Sequence, residues 1–272
     1  MENKINAPPM PATSYAVALY ITHLTQFSLK SSTIRSHLSA IAFFHKIRDQ
    51  PDPTTSFLVK KLLISNSKIE APASIRKPIT SKILSGLISA LNSQGYGRFD
   101  RRLYTAIFTL MYHAALRASE ICKTPQADHT LKESQLAILN TNKGEGIKID
   151  FRSYKHSHSQ PTPMVVYSTG NLICPVTAYR RYINSRGPTH GHAFSNMDKS
   201  AISRQQIAQV LQTLLPTQHL NPAHYNTHSF RIGKATDMAK HRASYAQIAT
   251  LGRWKSNAFM RYIKPTIIHG TH

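Results

Sequence analysis

Acidic residues are scarce in this sequence, with 12 Asp and Glu against 34 Lys and Arg. The resulting net charge of +22 and the isoelectric point near 10.2 make a cationic partner or substrate implausible on electrostatic grounds. From residue 199 to residue 272, Asp237 is the one acidic side chain among many basic ones. A surplus of this size favours a polyanionic partner, and double-stranded DNA is the partner that we expect.

Cysteine is equally rare, because Cys122 and Cys174 are the only two. They show no CxxC spacing, so the sequence supports neither a disulfide framework nor a zinc knuckle. Two unpaired cysteines favour a reducing, intracellular compartment. The 15 histidines include no HExxH motif and no cluster with acidic residues. The sequence therefore predicts no metal site and no cofactor.

Long apolar runs are also missing, and no segment approaches 18 consecutive apolar residues. The opening segment MENKINAPPMPA has no apolar stretch of the kind that a signal peptide carries. There is no GxxxxGK[ST] motif for a nucleotide. We expect an intracellular protein without a membrane partner and without a need for ATP.

The order of predicted elements indicates two domains. Residues 1–11 hold three prolines and read as a flexible lead-in. Residues 12–70 carry three amphipathic helix patterns and form the predicted helical DNA-binding domain. Pro72 and Pro78 disfavour helix in the segment 71–78, which is the predicted linker. Residues 79–272 are the predicted catalytic domain.

The second domain is predicted to be mixed. Helix patterns lie near residues 80–92 and 100–116, and others follow Pro175 and Ser203. Short strand patterns lie between them, at residues 135–139, 146–154 and 163–168. The predicted fold is mainly α with a small antiparallel β-sheet.

Several residues form a pattern that suits phosphodiester chemistry. Arg117 and Glu120 lie in the segment ALRASEI, and His228 and Arg231 lie three residues apart in THSFRIG, at the start of a predicted helix. Trp254 precedes Tyr262 by eight residues near the C-terminus. Arginine donates paired, charge-assisted hydrogen bonds to phosphate oxygens, and imidazole can donate a hydrogen bond or take a proton. Two arginines, a histidine and a tyrosine are what an enzyme needs to cleave DNA with a tyrosine nucleophile.

Each of these residues could also have a purely structural or solvent-exposed role. A single arginine in a basic protein is more often a plain phosphate contact or part of a solvated face, and a single tryptophan usually belongs to a core. Glu120 favours a specific role for Arg117, because a guanidinium in an apolar setting needs a carboxylate or a ligand. Gly233, in the same motif as Arg231, would let another segment approach the helix closely.

The order of Arg117, His228, Arg231, Trp254 and Tyr262 resembles that of the tyrosine recombinase (phage integrase) family, over nearly the whole chain. The resemblance implies a core-binding domain and a catalytic domain that close around DNA. It also implies cleavage through a 3′-phosphotyrosyl link, with no metal. Tyr262 would be the nucleophile, since a phenol of pKa about 10 needs a base and a cationic pocket to react.

The family supplies its general acid from a lysine on a β-hairpin loop between the two arginines. Lys155 in the segment DFRSYKHSHSQPTPMVV has this placement, with Lys143 and Lys148 as alternatives. The sequence motif HSFRIG…LGRWKS…RYI is most similar to those of the recombinases of eukaryotic DIRS-like, Ngaro and crypton mobile elements. That subgroup would place the protein in the nucleus.

The resemblance further implies a homotetramer on paired DNA sites, with a monomer possible without DNA. Within the first domain, we expect the helix near Lys30, Arg35 and Lys46 to face DNA, although a solvated basic face is equally open. Two other functions stay open: a type IB topoisomerase, which relaxes DNA by similar chemistry, and a domesticated DNA-binding protein that no longer cleaves.

Overall fold

The computed structural model describes residues 10–69, 76–123, 129–151, 163–254 and 256–263, without the side chains of Ile69, Ala258, Arg261 and Tyr262. The chain divides into two compact units, residues 1–74 and residues 75–272. In the described part of the chain, no helix is both long enough and apolar enough to cross a membrane.

The first unit is a small helical bundle. Its helices are α1 (Ser14–Gln26), α2 (Ser31–Lys46) and α3 (Phe57–Ile69), with a 3-10 turn at Pro53–Thr55. The Thr13 hydroxyl accepts a hydrogen bond from the Ala16 N–H and so caps α1. One apolar face of each helix meets the others in a shared core. The core consists of Val17, Ile21, Leu24, Ile34, Leu38 and Val59.

Helix α2 begins at Ser31, with Lys30 as its N-cap residue and no side-chain hydrogen bond at the cap. The sequence predicts Ser31 or Ser32 as the cap of this helix, and that prediction is wrong, because both serines lie inside the helix. At the other end of α2, His45 is fully buried. Its Nε2 lies 2.9 Å from the Ala12 N–H and its Nδ1 lies 2.8 Å from the Ile41 carbonyl oxygen. The ring thus bridges α2 to the segment that precedes α1.

The second unit is larger and mostly helical, with one sheet, as the sequence predicts. Its helices are α4 (Ser81–Ser93), α5 (Arg98–His113), α6 (Ala118–Ile121), α7 (Pro175–Arg186), α8 (Arg204–Leu214), α9 (His228–Lys240) and α10 (Tyr245–Gly252). A 3-10 helix, Asn257–Tyr262, follows α10. Helices α5 and α7 pack closely across a large apolar core, in which Tyr182 and Phe194 stack with ring centroids 5.7 Å apart.

The sheet has the strands β1 (Leu136–Thr141), β2 (Gly144–Ile149) and β3 (Met164–Tyr167), in that order and all antiparallel. Leu136 pairs with Ile149 across β1 and β2, and Ile147 pairs with Val166 across β2 and β3. Alternation along β2 buries Ile147 and Ile149, as the sequence pattern predicts. The strand itself ends at Ile149, five residues earlier than the predicted end.

Helix α5 ends at His113, three residues before the predicted end. The reason is Ala115, which adopts a left-handed backbone conformation with φ of 46° and so ends the helical hydrogen-bonding pattern. Leu116 N–H then donates to the Met111 carbonyl, which closes the turn. The break turns the chain sharply, and Arg117 follows it directly.

Candidate active site

Arg117 is held by a carboxylate on the short helix that it begins. Arg117 is the N-cap residue of α6 and donates two hydrogen bonds to the Glu120 carboxylate. Its backbone N–H lies 2.8 Å from Oε2, and its guanidinium Nη1 lies 3.1 Å from Oε1. Glu120 is 1% exposed, so this pair is screened little by solvent. The structure therefore brings Arg117 and Glu120 together as the sequence predicts.

A third arginine shares that carboxylate. Arg253 Nη2 lies 2.7 Å from Glu120 Oε2, and its guanidinium stacks on the Phe151 ring at 4.2 Å. Arg253 has a left-handed backbone with φ of 53°, where it ends α10. Its carbonyl oxygen accepts a hydrogen bond from Arg117 Nη2 at 3.4 Å. One buried carboxylate thus couples two guanidinium groups from distant parts of the chain.

Arg231 lies in the first turns of α9 and is 1% exposed. Its Nη1 donates to the Ala115 carbonyl at 2.5 Å, and its Nη2 donates to the Gly252 carbonyl. The Trp254 ring covers the same guanidinium, with 4.0 Å between the Cζ atom and the ring centroid. The left-handed Ala115 therefore places a carbonyl that fixes Arg231 next to the Arg117 turn.

His228 is the first residue of α9 and is half-buried. The Asn226 side chain accepts a hydrogen bond from the His228 N–H at 2.8 Å, whereas the N-cap residue Thr227 makes no side-chain hydrogen bond at this end. Burial, together with the positive charge of nearby arginines, lowers the pKa of the His228 imidazole to about 4. These are Arg231, Arg117 and Arg204. The imidazole is therefore neutral at neutral pH and able to accept a proton.

Helix α9 is held against the start of the second unit. The Ile79 N–H donates to the Ser229 carbonyl at 2.9 Å, and a Cβ atom at Gly233 would lie 1.7 Å from the Ile79 carbonyl oxygen. Only glycine fits this approach, which confirms the role predicted for Gly233. On another face of α9, the Phe230 ring packs on the Phe108 ring of α5 with centroids 5.0 Å apart. These contacts set the position of His228 and Arg231 relative to α5.

Trp254 joins this site to the final 3-10 helix. A Cβ atom at Gly252 would lie 1.8 Å from the Trp254 ring, so the ring folds back onto the end of α10. Its centroid lies 5.6 Å from that of Phe259, which packs with Ile263 in a small core beside α9 and α10. Tyr262 is the last residue of this 3-10 helix, and its side chain lies outside the described part of the structure.

The predicted general acid, Lys155, lies outside the described residues, so its role stays a prediction. The two alternatives are described. Lys148 lies on β2 and pairs with Asp150 at 2.9 Å, and Lys143 lies in the turn between β1 and β2. That turn is at the end of the β1–β2 hairpin opposite to Ile149, where β2 ends.

The three basic residues predicted to bind DNA belong to the first unit. Lys30, Arg35 and Lys46 are all exposed. Arg35 and Lys46 are eleven residues apart, so they point in nearly the same direction from α2, whereas Lys30 precedes the helix and points elsewhere. Lys46 Nζ also lies 3.4 Å from Asp52 Oδ2, and in this ion pair the lysine is exposed while the carboxylate is largely buried. The structure thus brings two of the three together on one face.

Sequence reasoning missed two residues of the site. Arg253 appeared only as one basic residue among many, although its position beside Trp254 was a usable signal. Arg204, the first residue of α8, acts on His228 through its charge, and sequence spacing gave no signal for it. Across the described ranges, no group of three His, Cys, Asp or Glu side chains is placed to hold a metal ion.

Comparison with known proteins gives consistent findings. The phage integrase family matches residues 79–266. The fold is similar to that of the Tn1549 transposon integrase in complex with circular intermediate DNA, with a TM-score of 0.63 and 12% identity over 95% of this chain and 83% of the other. It is also similar to the XerH recombinase bound to palindromic difH, with a TM-score of 0.65 and 13% identity over 93% of this chain and 69% of the other. A third similar structure is a lambda integrase dimer bound to a COC′ core site. Its TM-score is 0.58, and the identity is 13% over 98% of this chain and 67% of the other. No curated protein sequence matches.

Proposed function

The chain belongs to the phage integrase family, and we propose that it is a site-specific DNA recombinase that cleaves and rejoins double-stranded DNA through a 3′-phosphotyrosyl intermediate. The observation that carries this proposal is the grouping of Arg117, Arg253 and Arg231 around one helix start, beside a neutral imidazole on His228. Such a group of fixed cations suits the negative charge that develops on a phosphate during attack.

In the proposed reaction, the Tyr262 oxygen attacks phosphorus, and the bond from phosphorus to the 5′ oxygen breaks. His228 takes the phenol proton, and Lys155 gives a proton to the departing 5′ oxygen, so that a 5′-hydroxyl end forms. Arg117 and Arg231 donate to the non-bridging oxygens. Attack by a 5′-hydroxyl on the phosphotyrosine reverses each step, so the bond energy is conserved and no nucleotide is needed.

Glu120 and Trp254 have supporting roles in this proposal. Glu120 orients the Arg117 guanidinium by taking its hydrogen bonds on a carboxylate that hardly moves, because it also holds Arg253. The Trp254 ring covers the Arg231 guanidinium and keeps water from it. Preorganised donors of this kind act without reorganisation when charge develops, and each contributes about 3 kcal/mol to catalysis.

The test is to trap covalent adducts from random-sequence duplexes. The proposal expects an adduct that survives detergent, disappears on proteolysis, and carries DNA by its 3′ phosphate while leaving a free 5′-hydroxyl end. Attachment through a 5′ phosphate would contradict it. Relaxation of supercoiled plasmids of any sequence would indicate a type IB topoisomerase instead.

We further propose that the protein comes from a mobile element of the DIRS-like, Ngaro or crypton type and acts in the nucleus. The wording of the segments around Arg231 and Trp254 supports the subgroup, and the Tn1549 integrase is itself a transposon protein. We propose assembly as a homotetramer on paired sites. Sedimentation with a duplex recovered from the adduct experiment tests this, because a mass limited to one protein on each duplex would contradict the tetramer.

A further inference from the structure

A cavity of about 540 Å³ lies in the second unit, away from the candidate active site. It is open to solvent on one side and is lined by α4, α5, α7 and the loop between β3 and α7. Four arginines line it: Arg98, Arg101, Arg102 and Arg181. The lining residues, all within the described part of the chain, include no acidic side chain. We call this space the arginine cavity.

The arginines converge because of their helical spacing. Arg98, Arg101, Arg102 and Thr105 recur at intervals of three and four along α5, so they share one face of that helix. Arg181 lies four residues after Thr177 on α7, and both line the cavity. The two closely packed helices thus present their basic residues to the same space.

These charges are little compensated. Within the described ranges, no acidic side chain forms an ion pair with Arg98, Arg101 or Arg181, and Arg102 donates only to the Ser185 hydroxyl. By contrast Arg180, the neighbour of Arg181, pairs with Glu145 outside the cavity. Guanidinium groups gathered in a concave space raise the local positive potential and attract anions.

The first turn of α7 adds to this potential. Helix α7 has twelve residues, begins at Pro175 after the N-cap Cys174, and opens on the cavity through Cys174 and Thr177. The N–H groups of a first helical turn and the positive end of the helix dipole favour an anion. Burial would raise the pKa of Cys174, but hydrogen bonds from Ser168 and Thr177 outweigh it and lower the pKa to about 6. Even with Cys174 counted as a thiolate, the four guanidinium charges leave a positive cavity.

We propose that the arginine cavity binds a small anion that carries two or more phosphate groups. Its volume lies within the range of about 300–1,000 Å³ that small-molecule sites occupy, which exceeds what one phosphate needs. Planar guanidinium groups match phosphate oxygens through paired hydrogen bonds. Ile88 and Leu172 add apolar wall to the cavity. A concave, partly apolar site suits a compact ligand better than the continuous backbone of a duplex.

The site is separate from the proposed recombination chemistry. From Arg101 to the end of α5 at His113 the helix advances by roughly 18 Å, and only then does the chain turn towards Arg117. Binding here does not depend on the function proposed above. An inactive protein would bind the anion equally well, so failure of one proposal leaves the other standing.

The experiment is calorimetric titration of the full chain with inorganic tripolyphosphate in about 150 mM salt, which screens exposed charges to within roughly 8 Å. We expect one site per chain, and we expect affinity to fall at least about tenfold in Arg101→Gln and in Arg181→Gln, since each removes charge-assisted hydrogen bonds. The matched control is Arg180→Gln on the same helix, which should bind like the unmodified protein. Equal weakening in all three variants would show general attraction to a basic protein and would overturn the proposal.

A second variant pair tests location without changing charge. Asn92 lines the cavity from α4 and is exposed, so Asn92→Trp should fill the space and weaken tripolyphosphate binding at least about tenfold, while the adjacent Ser93→Trp should not. Unchanged binding in Asn92→Trp would overturn the proposal. So would citrate binding as tightly as tripolyphosphate, or displacement of tripolyphosphate by duplex DNA, which would make the cavity a DNA contact.

Discussion

Among single residues, Glu120 connects two arginines of the candidate site. Its carboxylate is buried and holds both Arg117 and Arg253. Glu120→Ala would leave two guanidinium groups without their carboxylate, and we expect the free energy of unfolding to fall by about 3 kcal/mol. Chemical denaturation measures this directly.

The matched control is Glu145→Ala. Glu145 pairs with one arginine, Arg180, and both side chains of that pair are about a third exposed or more. Solvent screens such a pair, so the loss should stay below about 1 kcal/mol. If both substitutions lowered the free energy of unfolding by the same amount, the carboxylate shared by Arg117 and Arg253 would not be what stabilises the site.

Lys155 can be tested as general acid through the leaving group. Replacing the 5′-bridging oxygen of the scissile phosphate with sulfur gives a thiolate leaving group that departs without a proton. Lys155→Ala should therefore be slowed by at least about a hundredfold on ordinary DNA and largely restored on the sulfur substrate. Single-turnover cleavage rates provide the measurement.

Arg117→Ala is the comparison, because its defect lies at the non-bridging oxygens and sulfur should restore it much less. No restoration for Lys155→Ala would move the acid role to Lys143, Lys148 or His228. Of these, Lys148 on β2 already pairs with Asp150, the residue that follows the strand.

Individual site residues could be predicted from the sequence where their type is specific to the chemistry. His228 and Arg231 share a helical face because of their spacing, and Glu120 lies within reach of Arg117 for the same reason. Arg253 could not be identified in this way, since its importance comes from a contact with Glu120 more than a hundred residues away. Sequence spacing carries no information about such a pair.

At the scale of elements, the position of α9 depends on its contact with the segment 77–79. Gly233→Ala would place a methyl group 1.7 Å from the Ile79 carbonyl oxygen, so one of the two segments must move. We expect the free energy of unfolding to fall by about 3 kcal/mol, as for a strongly overpacked site. We also expect DNA cleavage to drop sharply, because His228 and Arg231 move with the helix.

Gly97→Ala is a suitable control for this substitution. The nearest atom to a Cβ at Gly97 is a carboxylate oxygen of Asp100 at 3.8 Å, and the backbone φ of −57° suits any residue. Its cost should stay below about 1 kcal/mol. A Gly233→Ala protein as stable and as active as the unmodified one would show that α9 tolerates displacement.

Helix and strand types could be predicted from periodicity, but several ends could not. The ends depend on single backbone conformations and local hydrogen bonds: Ala115 at φ of 46° stops α5, and the Asn226 side chain accepts a hydrogen bond from the first N–H of α9. Alanine favours helix by propensity, so nothing in its side chain signals a left-handed turn. The contacts of its carbonyl with Arg231 accompany that conformation only in the folded chain.

At the scale of the whole molecule, the net charge of +22 predicts how binding responds to salt. If both units contact phosphates, the affinity for duplex DNA should fall by roughly 0.9 log units per neutralised phosphate for each log unit of salt. Replacing Lys30, Arg35 and Lys46 together by Ala should lower that slope by as much as about three. Fluorescence anisotropy over a salt series measures both slopes.

An unchanged slope in the triple variant would show that these residues form a solvated face. A wild-type affinity that hardly changed between low and physiological salt would remove backbone contacts as the main source of binding. The overall composition thus predicts a polyanionic partner, while sequence alone cannot separate the residues that would contact it from other exposed cations.

Adduct formation by Tyr262→Phe tests whether Tyr262 is the nucleophile of a DNA strand transferase. We expect no covalent protein–DNA adduct and a DNA affinity within about fivefold of the unmodified protein, because one hydroxyl contributes only about 1 kcal/mol to binding. Tyr245→Phe, which changes an exposed tyrosine on α10, should form adducts normally. An adduct in the Tyr262→Phe protein would contradict the claim, since another residue would then have to attack the phosphate.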